Sequence, residues 1–152
     1  MNASVGKTRR LRGGERGQSL IEFVLVAPVL LVLLAGVFDF GRHFFTRLTL
    51  RHAVAEAARF AVTGNQLIDP DTGQPMTRAE SILDVIVDKA GDLNVDVNGI
   101  RITPPDGGAP GDVVQISASY RDHFVMAPVI RFFSTGYVDF TVATVVRNEP
   151  VF

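Results

Sequence analysis

Three histidines and sixteen carboxylates are the side chains in this sequence best able to catalyse or ligate. Their spacing argues against a reaction centre. His43 and His52 stand nine residues apart on what reads as one helix, so they do not make the i, i+4 pair of a helical metal site. His123 is far away, in what reads as a turn. No HExxH or GxSxG is present. There is no cysteine, which removes thiol catalysis, Cys-ligated zinc and disulfides and leaves the redox compartment open. Gly6-Lys7-Thr8 mimics the end of a phosphate loop, but no strand or glycine-rich loop precedes it. Asp69, Asp71 and Glu80 fit positions 1, 3 and 12 of a calcium loop. Positions 5 and 6 are then Gly73 and Gln74, where the template needs Asp or Asn and then Gly. No enzyme activity, cofactor or metal site is expected. What remains is Gly17-Gln18-Ser19-Leu20-Ile21-Glu22-Phe23: a glycine closing a charged leader, and a lone carboxylate five residues on. Glycine lets the backbone lie extended against a protease, so the chemistry here would be done to the chain.

The surroundings of that heptad say where it sits. Residues 1–16 carry Lys7, Arg9, Arg10, Arg12 and Arg16 against Glu15 alone, and residues 23–38 carry no charge. From Leu20 the apolar run is 19 residues, interrupted once by Glu22. A helix of that length rises roughly 28 Å, close to the hydrocarbon thickness of a bilayer. It reads as a transmembrane helix. The short basic flank keeps the N-terminus in the cytoplasm and places everything after Phe40 outside, although Arg42, Arg47 and Arg51 weaken the asymmetry. Over the whole 152 residues, 15 basic and 16 acidic side chains nearly cancel, so no field points to nucleic acid. At 47% hydrophobic, the chain is too apolar to be disordered.

The heptad resembles a type IV prepilin cleavage motif. A conventional secretory signal has a shorter apolar core and a small-x-small site after it, which is not seen here. A twin-arginine signal would use Arg9-Arg10, but Arg12 falls where an apolar residue belongs. The prepilin resemblance implies a cut between Gly17 and Gln18 by a membrane-embedded peptidase on the cytoplasmic side. The transmembrane helix is then retained as the mature N-terminus. Glu22 would cost on the order of 2–3 kcal/mol if it lay unpaired at the bilayer centre. In a bundle of such helices it can pair with a neighbour's new amino terminus. With Phe23 beside it, it then serves as a register device, because a helix out of step buries an unpaired charge.

Beyond Phe40 the helical pattern continues. Residues 41–62 have no proline and five alanines between 53 and 61. Arg42, Thr49, His52, Glu56 and Arg59 share a polar stripe. Phe40, Phe44, Leu48, Ala55, Ala58 and Val62 make one apolar strip, and Leu50, Val54, Ala57 and Ala61 a second. Two strips imply two contacts, one with the protein's own domain and one with other subunits. Pro28 is expected to kink the helix, and Gly64-Asn65 to end it, giving 44 residues from Ser19 to Val62. Thr77-Arg78-Ala79-Glu80 is a capping box opening a second helix, with Ile82, Leu83, Ile86 and Ala90 on one face and Gly91 as its stop. Residues 93–97 and 100–103 read as strands joined by a hairpin turn at Asn98-Gly99. Residues 104–111 read as a loop, 112–120 as a strand with Val114, Ile116, Ala118 and Tyr120 facing one way, and 137–147 as a last strand. Residues 124–134 read as a short helix or a loop broken at Pro128. The class is α+β: a long N-terminal helix on a small antiparallel sheet with one short helix.

The chain as a whole resembles the TadE-like proteins of the tight-adherence (Tad) pilus system. The likeness rests on the apolar helix, the Asp39-Phe40-Gly41-Arg42 junction, the Glu56-to-Arg59 stretch, the Tyr120 region and the closing Arg147-Asn148-Glu149. It implies a minor pilin, or pseudopilin, that assembles or initiates an adhesive pilus. The organisation expected is a removed basic leader (1–17), a transmembrane helix (18–40), an exported extension of it (41–64) and a small exported domain (65–152). The partners expected are a prepilin peptidase, other pilins, inner-membrane assembly proteins and membrane lipid, with no nucleic acid. The competing expectation is an uncleaved single-pass membrane protein whose exported domain binds a ligand or partner.

Overall fold

The structure, a computed structural model, describes residues 14–126 and 136–149, with side chains from residue 17 on. The leader before Gly14 and most of the ambiguous 124–134 segment lie outside the described residues. The elements in chain order are α1 (Gly14–Thr63), α2 (Arg78–Ala90), 3-10 turns at Gly91–Leu93 and Val97–Gly99, and strands β1 (Ile100–Thr103), β2 (Val113–His123) and β3 (Tyr137–Arg147). The strands form one antiparallel sheet in the order β1-β2-β3. This is the α+β class read from the sequence. The chain divides into two compact units at residues 38 and 39, inside α1.

The first unit is the apolar end of α1. It is helical through Pro28, with its large side chains turned outward: Leu20, Phe23, Leu31 and Phe38 are about two thirds exposed. Its most apolar stretch has a mean hydropathy of 2.7 and nothing packed on it. The helix is already formed at Gly14, the first described residue, ahead of the expected Ser19. Nothing in the sequence between Gly14 and Ser19 stops a helix outright, and glycine costs only about 1 kcal/mol against alanine in a helix.

The second unit, from Asp39 onward, packs the rest of α1 and α2 against one face of the sheet. Leu50, Val54, Ala57 and Ala61 are fully or almost fully buried and meet Ile82 and Ile86 of α2 and Val114, Ile116 and Ala118 of β2 in one cluster. Alanine at these positions removes side-chain bulk, so a helix backbone can approach a sheet closely. Of the two strips, which the sequence does not assign, the second is therefore the one that meets the domain. On the first strip Phe40, Phe44 and Leu48 are exposed, whereas Ala58 turns into the core, because 54, 57, 58 and 61 complete a single i, i+3, i+4, i+7 face.

α1 ends just before Gly64-Asn65, and its last carbonyls find partners. Arg78 Nη2 donates to Ala61 O, Glu149 N to Val62 O and Thr63 Oγ1 to Phe60 O. Arg78 Nη1 also reaches Gly108 O at 2.8 Å. Buried Asn148 donates from Nδ2 to Gly107 O and Ala109 O. One arginine and one asparagine thus tie the 104–111 loop to the ends of α1 and β3.

The capping box forms in full. Thr77 Oγ1 accepts from Glu80 N, and the Glu80 carboxylate accepts from Thr77 N at 2.8 Å. Gly91, with φ +55°, stops α2. The expected hairpin at Asn98-Gly99 does not form. Asp96 accepts Asn98 N on its side chain and Gly99 N on its carbonyl, which winds Val97–Gly99 into a 3-10 turn. Residues 93–97 are therefore not a strand, and β1 pairs with β2 instead, Ile100 opposite Ala118. Gly99 is required for another reason: a Cβ there would stand 2.8 Å from Ser119 O. β2 runs on from the expected 120 to His123, so His123 lies in a strand and not in a turn.

Candidate functional site

The residues expected to matter at the N-terminal end all lie on α1. Gly17, Gln18, Glu22 and Phe23 are exposed, and Gln18 Nε2 donates to Glu22 Oε1 at 3.2 Å, one helical turn away. The structure brings Gln18 and Glu22 together and, among the described residues, gives Gly17 and Phe23 no partner outside the helix that would single them out. Gly17 is helical, less than one turn after Gly14. A cut at this position would need the backbone extended, and so would need this end to unwind by about a turn. Gly14 and Gly17 each weaken the helix by about 1 kcal/mol against alanine.

A second cluster, in the other unit, was not foreseen as one. Asp39 closes the uncharged run, is 4% exposed, and accepts the backbone N–H groups of Val125 and Met126 at 2.7 and 2.9 Å. One turn later Arg42 and His43 meet Asp122, the buried residue near the end of β2. Arg42 Nη2 lies 2.7 Å from Asp122 Oδ1 as an ion pair, off the line of a hydrogen bond. His43 Nδ1 donates to Asp122 Oδ2 at 2.9 Å. The His43 ring is flanked by Phe124 and, edge-on at 5.4 Å, by Phe140. The chemistry here is structural: two carboxylates receive three hydrogen bonds and one ion pair where the helix leaves its apolar stretch. Asp122 was legible in principle, since it continues the inward alternation of Val114, Ile116, Ala118 and Tyr120.

On the outer face of the sheet, Arg121 pairs bidentately with Asp139 at 2.7 and 2.9 Å and lies 4.4 Å from the Tyr137 ring centroid. The pairing raises the Arg121 pKa and holds the Asp139 carboxyl below the ordinary carboxylate value. Hydrogen bonds from Thr72 and from the Asp71 backbone lower Asp69, and those from Thr77 lower Glu80. These bonds engage two of the three carboxylates of the calcium template, and no group of three ligating side chains converges among the described residues.

Residues 17–59 match the family model described as TadE-like protein. The resemblance read from the sequence is borne out over that segment, about a quarter of the chain. No curated protein and no solved structure matches. TadE-like proteins are a pilus-system family and not an enzyme family, and the match points to a pilin-like protein associated with a Tad pilus. One apolar N-terminal helix fits a single-pass membrane protein of that kind.

Proposed function

We propose that the chain is a minor pilin, or pseudopilin, of a Tad-type pilus. A prepilin peptidase removes residues 1–17, and the apolar end of α1 holds the product in the inner membrane with its N-terminus cytoplasmic. The product then takes part in assembling or initiating an adhesive pilus, with other pilins and inner-membrane assembly proteins as partners. The observation that carries this reading is a coincidence of position. The family match opens on Gly17, the glycine that ends the basic leader, at the head of a helix whose side chains from 18 to 38 have almost nothing packed against them. Soluble proteins rarely leave so large an apolar surface open, and lipid or neighbouring helices cover it at no such penalty.

Cutting after Gly17 creates a cationic amino terminus at Gln18, within one turn of Glu22. In a bundle, that terminus on one chain can meet Glu22 on the next, with Phe23 packing beside it. The test is the mass of the protein purified from its native membranes. A chain beginning at Gln18 is expected. Gly17→Phe should keep its leader and migrate more slowly; a variant of unchanged mobility, or a wild-type chain with its leader intact, refutes processing and leaves an uncleaved single-pass protein. Glu22→Ala should insert normally and assemble poorly.

A further inference from the structure

Among the described residues, two faces of the second unit have nothing packed over them and differ in charge. The first is the back of α1, opposite Asp39, Leu50 and Ala57 on the helical wheel. It exposes Phe44 at 61% and Leu48 at 55%, with Arg51 beside them and Arg47 at its edge. Farther along α1, Arg59 lies 3.8 Å from Glu56 and shares a cleft with Asp84 and Asp88 of its own chain. The second is the outer side of α2 and the loop before it. Glu80, Asp84 and Asp88 follow one another at i, i+4 and i+8, beside exposed Val87 and Val97; Glu80 is bonded by Thr77 and Asp88 is paired with Lys89, which leaves Asp84 as the open acid of the row. Asp69, Glu80, Leu83, Asp84 and Val87 line a cleft of about 510 Å³ there. Among the described residues Asp84 has no ion-pair partner.

We propose that these two faces bind each other between copies of the chain, the arginine face of one α1 lying in the acidic cleft of the next. Three features of the faces commit the occupant to a second copy. The charges are opposite. Both rows are spaced by one helical turn, about 6 Å, with Arg47 and Arg51 answering Glu80 and Asp84. Each row is interleaved with apolar side chains of similar exposure, Phe44 and Leu48 on one side and Val87 and Val97 on the other. A symmetric dimer through either face would set like charges against each other. The contact joins two different patches, so it does not close on itself and propagates head to tail. The inference deepens the pilin-like reading and rests on it only for holding the copies in one membrane.

The chain has no cysteine, so single cysteines report the contact directly. Arg51→Cys and Asp84→Cys chains carrying different tags are co-expressed in full length and oxidised in intact membranes. A disulfide joining the two tags is expected, at least tenfold above either homodimer. Predominant Arg51→Cys or Asp84→Cys homodimers would overturn the proposal, as would the absence of the mixed dimer, which would mean that lipid or another protein covers the arginine face. A second pair, Leu48→Cys with Val87→Cys, reads the charges. Arg51→Glu in both chains should reduce that disulfide about tenfold, and adding Asp84→Arg should restore it. No loss, or no restoration in a variant that keeps its near-ultraviolet circular dichroism, refutes the pairing. The mass of the mature chain reads processing independently, so cleavage and contact can fail separately.

Discussion

Arg42→Ala should destabilise the second unit more than Asp122→Ala does, although both remove the same ion pair. Burial decides the order. The Asp122 side chain is 1% exposed and that of Arg42 is 36% exposed. Removing Asp122 leaves a guanidinium that can turn to water. Removing Arg42 leaves a carboxylate inside the protein with His43 as its remaining ionisable partner. Orphaning one member of a fully buried pair costs about 3–5 kcal/mol. His43 still bonds Asp122, and Arg42 is about a third exposed, so the expected losses are smaller: about 2–3 kcal/mol for Arg42→Ala and about 1–2 kcal/mol for Asp122→Ala. The double variant should lose less than the sum. For a unit of this size 1 kcal/mol moves the melting temperature by about 4 °C, so Arg42→Ala should fall by roughly 8–12 °C. The assay is thermal unfolding of the full chain in detergent micelles, followed by near-ultraviolet circular dichroism. Tyr120 and Tyr137 report the second unit there without interference from the apolar end of α1. A melting temperature for Arg42→Ala within 2 °C of the parent, or an Asp122→Ala loss larger than that of Arg42→Ala, refutes the reasoning.

Gly99→Ala should cost about 1–3 kcal/mol by the same assay, because the new methyl group meets the Ser119 carbonyl and one of the two chain segments must shift. An unchanged melting temperature would mean that the turn moves freely away from β2. Thr77→Ala removes the side-chain half of the capping box and should cost about 1 kcal/mol; Thr77→Ser should restore most of it. The depressed pKa values of Asp69, Glu80 and Asp139 set the sign of the acid response. A carboxylate held below its unfolded value stabilises the fold above that value, and the contribution disappears as pH falls through the folded value. Stability measured from pH 7 to 3 should therefore hold at neutral pH and decline below about 4, and Glu80→Gln should flatten part of that decline.

Where local chemistry and burial pointed the same way, the fold was legible from residues alone. The Thr77 box and Gly91 bound α2 in both readings. The alternation around Val114, Ile116 and Ala118 marked β2. The two apolar strips of α1 were visible, but which of them meets the domain was not. The reading failed where a local signal was outbid by a nearby one. Asn98-Gly99 is a strong hairpin pair, but Asp96 two residues earlier captures the same backbone N–H groups for a 3-10 turn. The start of α1 was missed because glycine is weak punctuation when an apolar helix follows. The Asp39, Arg42, His43 and Asp122 cluster was invisible as a unit. Its members lie about 80 residues apart in sequence, and the alternation that turns Asp122 inward does not say which residues of α1 it meets.

That cluster also explains how one helix serves two solvents. From Phe23 to Phe38, every side of α1 is apolar, which suits lipid or a bundle of like helices and nothing aqueous. From Asp39 the helix must become one-sided within a turn, because the domain takes one face and leaves the other open. Charged groups at such a boundary are costly unless they are paired or hydrated. All three that appear in the first turn, Asp39, Arg42 and His43, turn toward β2 and the residues after it, where backbone N–H groups and Asp122 receive them. Phe40, Phe44 and Phe45 keep the open face apolar over the same turns. The polarity switch is thus made on the inner face first and on the outer face only from Arg47 onward. A helix built this way can stay in contact with lipid or a neighbouring helix past the point where its own domain has begun.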